Sequence, residues 1–270
     1  MTTVKRIFQQ PLILIAISAA VVICGCSKKK ETVEETTGTI IFTANGEDFV
    51  RQGFVDKQGW SISFENLFVN IVDPVAYMPE GEKLEAALSG AFWIDLAQGD
   101  ENADPITVGK LDNVKAGNYQ SLRFKLKRAA EGDYSGFSIV MIGAASKDDK
   151  TIPFTIKLDE EMDYDGKEGF VGDEIKGMLK AGETATVEMT FHFDHIFGDN
   201  EAPEDDHINT GSVGFDFFNR YVKDGKVDVE QSVMNSEKEY KTLVQAMWTL
   251  GHLGEGHCEV SNQSSADIIE

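Results

Sequence analysis

From Thr39 to about Asp194, apolar and polar residues change places every second position, over short runs broken by Gly, Asp, Asn and Pro. A period of two is that of a strand with one face buried and the other in water. The runs predict strands over residues 39–44, 60–72, 91–97, 118–127, 137–144, 152–158 and 184–194. Within one of them Gln120, Leu122, Phe124 and Leu126 share a mostly apolar face, while Ser121, Arg123, Lys125 and Lys127 face solvent. Trp60, Ile62 and Phe64 keep one phase and Leu67, Val69 and Ile71 the other, so a continuous strand needs a bulge near Glu65 and Asn66. Many short strands without interleaved helices argue for a mainly β fold, an antiparallel β-sandwich. At 270 residues, 41% of them hydrophobic, the chain can bury the core that such a fold requires.

The first residues read as an address. Lys5 and Arg6 form a basic start, and residues 11–23 are an almost wholly apolar run of the length of a signal-peptide core, short of the roughly 20 residues that span a bilayer. The run ends Ile23-Cys24-Gly25-Cys26, which resembles the lipobox of bacterial lipoproteins. That resemblance implies loss of the signal peptide 1–25 and lipidation of Cys26. Cys24 stands where Ala, Ser or Thr is commoner. Ser27 after the Cys, rather than Asp, implies the outer membrane as destination, on its periplasmic or surface face. Lys28, Lys29 and Lys30 suit anionic headgroups, and residues 26–38 read as a flexible tether.

Ser63-Phe-Glu-Asn-Leu-Phe-Val69, Phe92-Trp-Ile-Asp-Leu96 and the segment from Leu111 to Phe124, with its Leu-x-x-Val-x-x-Gly-x-Tyr order, resemble a pattern in bacterial lipoproteins with an immunoglobulin-like or prealbumin-like sandwich. The resemblance covers about a quarter of the chain and implies fold and extracytoplasmic life rather than activity. The globular region is expected over residues 39–258, with 259–270 a frayed tail.

After Asp194 the character shifts to an acidic loop from Gly198 to Gly211 and then a single C-terminal helix. Ser236 and Glu239 have the spacing of a capping box, and Tyr240, Leu243, Val244, Met247 and Trp248 recur at helical spacing. All five histidines, His192, His195, His207, His252 and His257, fall in this last third. Alternation in the final strand puts Val187, Met189, Phe191 and Phe193 on the core face, leaving His192 and Asp194 on the other, with His195 able to turn to the same side. The loop adds Asp199, Glu201, Glu204, Asp205, Asp206 and His207 with no Lys or Arg between them. Such a set is repulsive unless solvated or neutralised by a cation. His252-Leu-Gly-Glu-Gly-His257-Cys258 offers two more imidazoles and a thiol on a glycine-rich turn.

These donors suit a divalent transition metal, zinc foremost, with cobalt, nickel, iron or copper under the same ligand chemistry. The expected ligands are His192, Asp194, His195, His207, His252 and His257, with Asp199, Asp206 and Cys258 as a second tier. A shared ion requires at least three imidazoles within about 5 Å of one another. Glu161, Asp163 and Asp165, followed by Gly166, have the spacing of the start of a calcium loop, but Gly172 stands at the twelfth place, so calcium is the weaker expectation.

A formal charge of −21 disfavours nucleic acid as partner. The chain contains no HExxH, GxSxG, P-loop or CxxC sequence. Trp60, Trp93 and Trp248 could stack on a glycan, yet Trp60 and Trp248 sit in apolar phases. The leading expectation is therefore metal buffering or delivery to an envelope transporter rather than catalysis. The alternatives are a surface or periplasmic module that docks protein or glycan, with incidental histidines, and a zinc hydrolase whose base is Glu188, Glu201, Glu204 or Glu255.

Overall fold

A computed structural model describes residues 36–78, 83–100, 102–172 and 176–261. The lipobox, the expected lipidation site Cys26, the tether through residue 35 and the end of the tail lie outside the described residues. No helix among the described residues is long and apolar enough to cross a membrane.

The chain is mainly β, and each of the seven expected strands forms at or near its expected bounds. The longest, Ser61–Tyr77, carries the bulge: its register against Ile139–Lys147 shifts between Phe64 and Asn66. The large sheet runs in the order Val222–Lys223, Lys226–Glu230, Lys150–Leu158, Ile139–Lys147, Ser61–Tyr77, Ser121–Leu126, Met162–Asp165, Glu259–Val260. The smaller one runs Gly256–His257, Gly251–Leu253, Thr184–Phe191, Thr37–Asn45, Ile106–Lys115. Their apolar faces share one core, as where Phe124 of the large sheet meets Phe191 of the small one at 5.6 Å between ring centroids.

The sheets are mixed, not antiparallel throughout. Thr37–Asn45 runs parallel to Thr184–Phe191, and Lys150–Leu158 parallel to Lys226–Glu230. Both parallel partners are far apart in sequence, so strand patterning carried no trace of their direction. Ile106–Lys115 was not expected as a strand. It is a sheet edge with few buried residues, and an edge open to water shows no clean alternation. The outer bounds also move, since Thr37 and Gly38 already belong to the first strand, and Glu259–Val260 pairs with Met162–Asp165 instead of fraying.

The C-terminal helix is Tyr240–Trp248 and has five shorter companions of four to six residues. The Ser236 capping box does not form. Glu239 sits at the N-cap position, and its carboxylate is held instead by Arg220, at 2.8 and 3.0 Å. A two-pronged guanidinium contact outcompetes a cap made to a single backbone N–H.

One feature of this fold places the site. After the helix the chain turns back as a hairpin, Gly251–Leu253 with Gly256–His257, and adds itself to the free edge of Thr184–Phe191. Gly251 lies so close to Tyr164 that a Cβ there would fall 2.6 Å from the ring. Tyr164 cannot retreat, because its hydroxyl donates to the Met247 carbonyl at 2.6 Å in the buried core. Gly254 has φ of 57°, and a Cβ there would meet the Val171 carbonyl at 2.0 Å. Gly251→Ala is therefore expected to cost about 1–3 kcal/mol, measured as a lower urea midpoint. An unchanged midpoint would show that the hairpin does not need this close approach.

Candidate metal centre

The register of the hairpin decides which imidazoles meet. His252 lies opposite Thr190 on one side and His257 on the other, and Gly251 lies opposite Phe191. The pairing continues one residue further, where the His192 N–H donates to the Leu250 carbonyl at 3.0 Å. The strand stops at Phe191, and Asp194–Phe197 forms a single helical turn, so Asp194 and His195 stand on that turn and not on an extended strand. The turn still brings His195 back over His192, with ring centroids 5.8 Å apart.

The result is a cluster of imidazoles. One ligand atom from each of His192, His195 and His252 lies within 4.8 Å of the others. The His192 and His252 rings stack at 4.0 Å between centroids. His257 lies beside the trio, 4.1 Å from His252 and 5.5 Å from His195 by ring centroid, and is exposed.

Hydrogen bonds fix which nitrogens carry lone pairs. His252 Nε2 is 3.1 Å from the Thr249 carbonyl, which can only accept, so Nε2 bears the proton and Nδ1 the lone pair. His195 Nδ1 is 2.8 Å from Thr249 Oγ1, whose own proton goes to the Ala246 carbonyl at 2.9 Å. The hydroxyl is thus the acceptor there, and the His195 lone pair is on Nε2. One threonine sets two tautomers, the arrangement by which outer groups orient metal-binding imidazoles. His252 Nδ1 and His192 Nε2 are buried without a hydrogen-bond partner, as are Asp194 Oδ1 and Thr190 Oγ1. Buried polar atoms are normally paired, and these four are exceptions.

Electrostatics favour the neutral imidazole. Burial, reinforced by the neighbouring histidines, pushes His252 down to about 2. Burial, then His257, pushes His195 down to about 4. His192 is lowered as well, first by burial and against the opposing pull of Asp194, whose nearest oxygen is 4.0 Å from Nδ1. Glu47 feels two of the same carboxylates as His192, Asp194 and Glu255. It is half-buried, its carboxyl is raised first by burial and then by Glu255, Glu188, Asp48 and Asp194, and its φ is 62°. It opens the short helix Glu47–Gln52, whose Phe49 ring packs 6.3 Å from His192.

The remaining expected residues separate. His207 and Asp206 are exposed and line, with His195 and His257, a cavity of about 440 Å³ beside the trio. Asp206 caps the short helix His207–Thr210 by accepting from the Ile208 N–H at 3.0 Å. Asp199 accepts from the Glu201 N–H, and the acidic loop is organised by Asn209, whose amide donates to the carbonyls of Asp199, Ala202 and Pro203. The loop's geometry is thus set by an asparagine that sequence reasoning passed over. Cys258 is buried, with its thiol 3.3 Å from where a Cβ on Gly166 would stand, and burial pushes it up to about 12. It packs as a small apolar side chain.

The spacing that made Glu161, Asp163 and Asp165 the weaker, calcium candidate falls largely on a strand. Met162–Asp165 is a strand, not a loop; Lys127 Nζ lies 2.6 Å from Asp163 and 3.7 Å from Glu161, and the Tyr77 hydroxyl donates to Asp165 at 2.6 Å. Of the carboxylates considered as bases, Glu188 is buried in an ion pair with Lys176 at 2.8 Å, whereas Glu201, Glu204 and Glu255 are exposed. Trp60 and Trp248 donate to Asp216 and Glu160 from the core and its margin, and Trp93 stacks elsewhere on Phe68.

No protein-family model, curated protein or solved structure matches this chain.

Histidines held neutral by the fold make stability depend on pH. A folded-state value below the ordinary 6.5 contributes stability that is present above 6.5 and lost as pH falls toward the depressed value. The metal-free protein should show a urea midpoint that declines steadily from pH 7 to pH 4.5, and His252→Phe should flatten that decline. A midpoint independent of pH in this range would contradict the buried, neutral trio.

Proposed function

We propose that this chain binds one divalent transition metal through His192, His195 and His252, and that it buffers the metal or passes it to an envelope transporter. The observation that carries the reading is that one ligand atom from each of three imidazoles lies within 4.8 Å of the others, with Thr249 fixing the tautomers of two of the rings. All-imidazole donors without thiolate suit zinc first, and cobalt, nickel, copper or iron after it. A half-buried cluster on a short hairpin at a sheet edge can release its ion more readily than a closed thiolate cage, which suits carriage. The sequence around Cys26 supports the place: a lipoprotein held at the outer membrane, with a sandwich of immunoglobulin-like or prealbumin-like type carrying the site.

The test is a metal count on the full-length protein, purified in detergent without a histidine tag. Near one equivalent of metal is expected, falling to background in the His192→Ala, His195→Ala double variant. Thr249→Val keeps the carbonyl but removes the hydroxyl, and it should weaken zinc binding about 10–100-fold with the fold retained by circular dichroism. No metal above background, and no thermal shift with zinc, cobalt, nickel or copper, would overturn the proposal. The protein- or glycan-docking module would then be the better reading.

A further inference from the structure

Three convergent nitrogens leave a tetrahedral ion one ligand short, and the surroundings of the trio decide from where the fourth can come. His252 is only 2% exposed. His192 packs against the Phe49 ring and Asp194 and keeps 16% of its side chain exposed. Of the three, His195 alone lines the cavity, together with exposed His257. Approach from solvent therefore runs through that space, between the short helix His207–Thr210 and the helix Tyr240–Trp248.

We propose that the metal keeps a coordination position open toward this cavity, and that the cavity receives a small organic anion, a carboxylate of a few carbons or its hydroxamate equivalent, as the fourth ligand. The inference rests on the metal reading above and adds the ligand to it. The cavity's size, about 440 Å³, lies in the range of small-molecule sites. Its walls hold no Lys or Arg and carry one carboxylate, Asp206, turned in part to the Ile208 N–H, so the ion must supply the positive charge that meets the anion. Thr242 and Gln245 offer uncharged donors, whereas the Thr210 hydroxyl already donates to the Asp206 carbonyl, and Ala246 and Ile208 add apolar wall for a short carbon chain. His257 stands beside the trio, at the cavity wall. From there it can hydrogen-bond the anion rather than complete the coordination.

Cobalt(II) makes the open position visible, because its absorption bands change with the fourth ligand. Full-length protein loaded with cobalt should show a saturable change in those bands on titration with acetohydroxamate, and a weaker one with acetate. Gln245→Trp, on the exposed lip of the cavity, and Thr242→Trp, on the same helix, should each keep one equivalent of cobalt yet need at least tenfold more acetohydroxamate. Cobalt-loaded wild-type protein whose bands do not respond would overturn the inference and leave the metal site standing, with its coordination closed. Equal responses in wild type and both variants would also overturn it, since the anion would then arrive by another path. Protein that holds no cobalt overturns the metal reading itself, and this inference with it.

Discussion

Pairing between the last hairpin and the edge of Thr184–Phe191 is the interaction on which the site depends. Opposing Phe191 with Gly251 puts His252 against Thr190 and His257, and carries the chain past Leu250 to hold His192. A slip of one residue would turn His252 to the opposite face of the sheet and dissolve the cluster. The register is protected sterically. Gly251 is the residue that can lie against the pinned Tyr164 ring, and Gly254 the one that can pass the Val171 carbonyl. The same Tyr164 hydroxyl ties the end of the helix to the core, so helix, hairpin and strand form one support for three imidazoles.

Thr249 shows how small the decisive contacts are. It stands between helix and hairpin, where its carbonyl and hydroxyl face different rings. A buried imidazole pair with undefined tautomers could turn either an N–H or a lone pair toward its neighbour. By accepting from His252 Nε2 and His195 Nδ1, one residue removes that ambiguity at both. The depressed basicity of the rings acts in the same direction, since a neutral imidazole is the form that ligates.

Much of the fold was legible because half-buried strands write their period into the chain. Trp60, Ile62 and Phe64 against Leu67, Val69 and Ile71 showed the bulge before any coordinates did. Strand direction was not legible, since nothing local distinguishes the parallel pairing of Phe42 with Val187 from an antiparallel one. The histidines were legible as a group. The carboxylates were less legible: Asp206 and Asp199 accept from backbone N–H groups, and Glu161 and Asp163 meet Lys127. Acidic residues have many uses in turns and ion pairs, so their density along a chain says little about a site. Thr249 was missed for the opposite reason. It is ordinary in its own segment and reaches the site only through its contacts with His195 and His252.

The central claim is that three imidazoles share one ion, and X-ray absorption at the zinc edge of the zinc-loaded protein measures that directly. The account predicts a first shell of nitrogen and oxygen near 2.0 Å, with the outer-shell scattering of about three imidazole rings, reduced by one ring in His252→Ala. A shell of oxygen alone, a sulfur contribution near 2.3 Å from Cys258, or a spectrum unchanged in His252→Ala would contradict it.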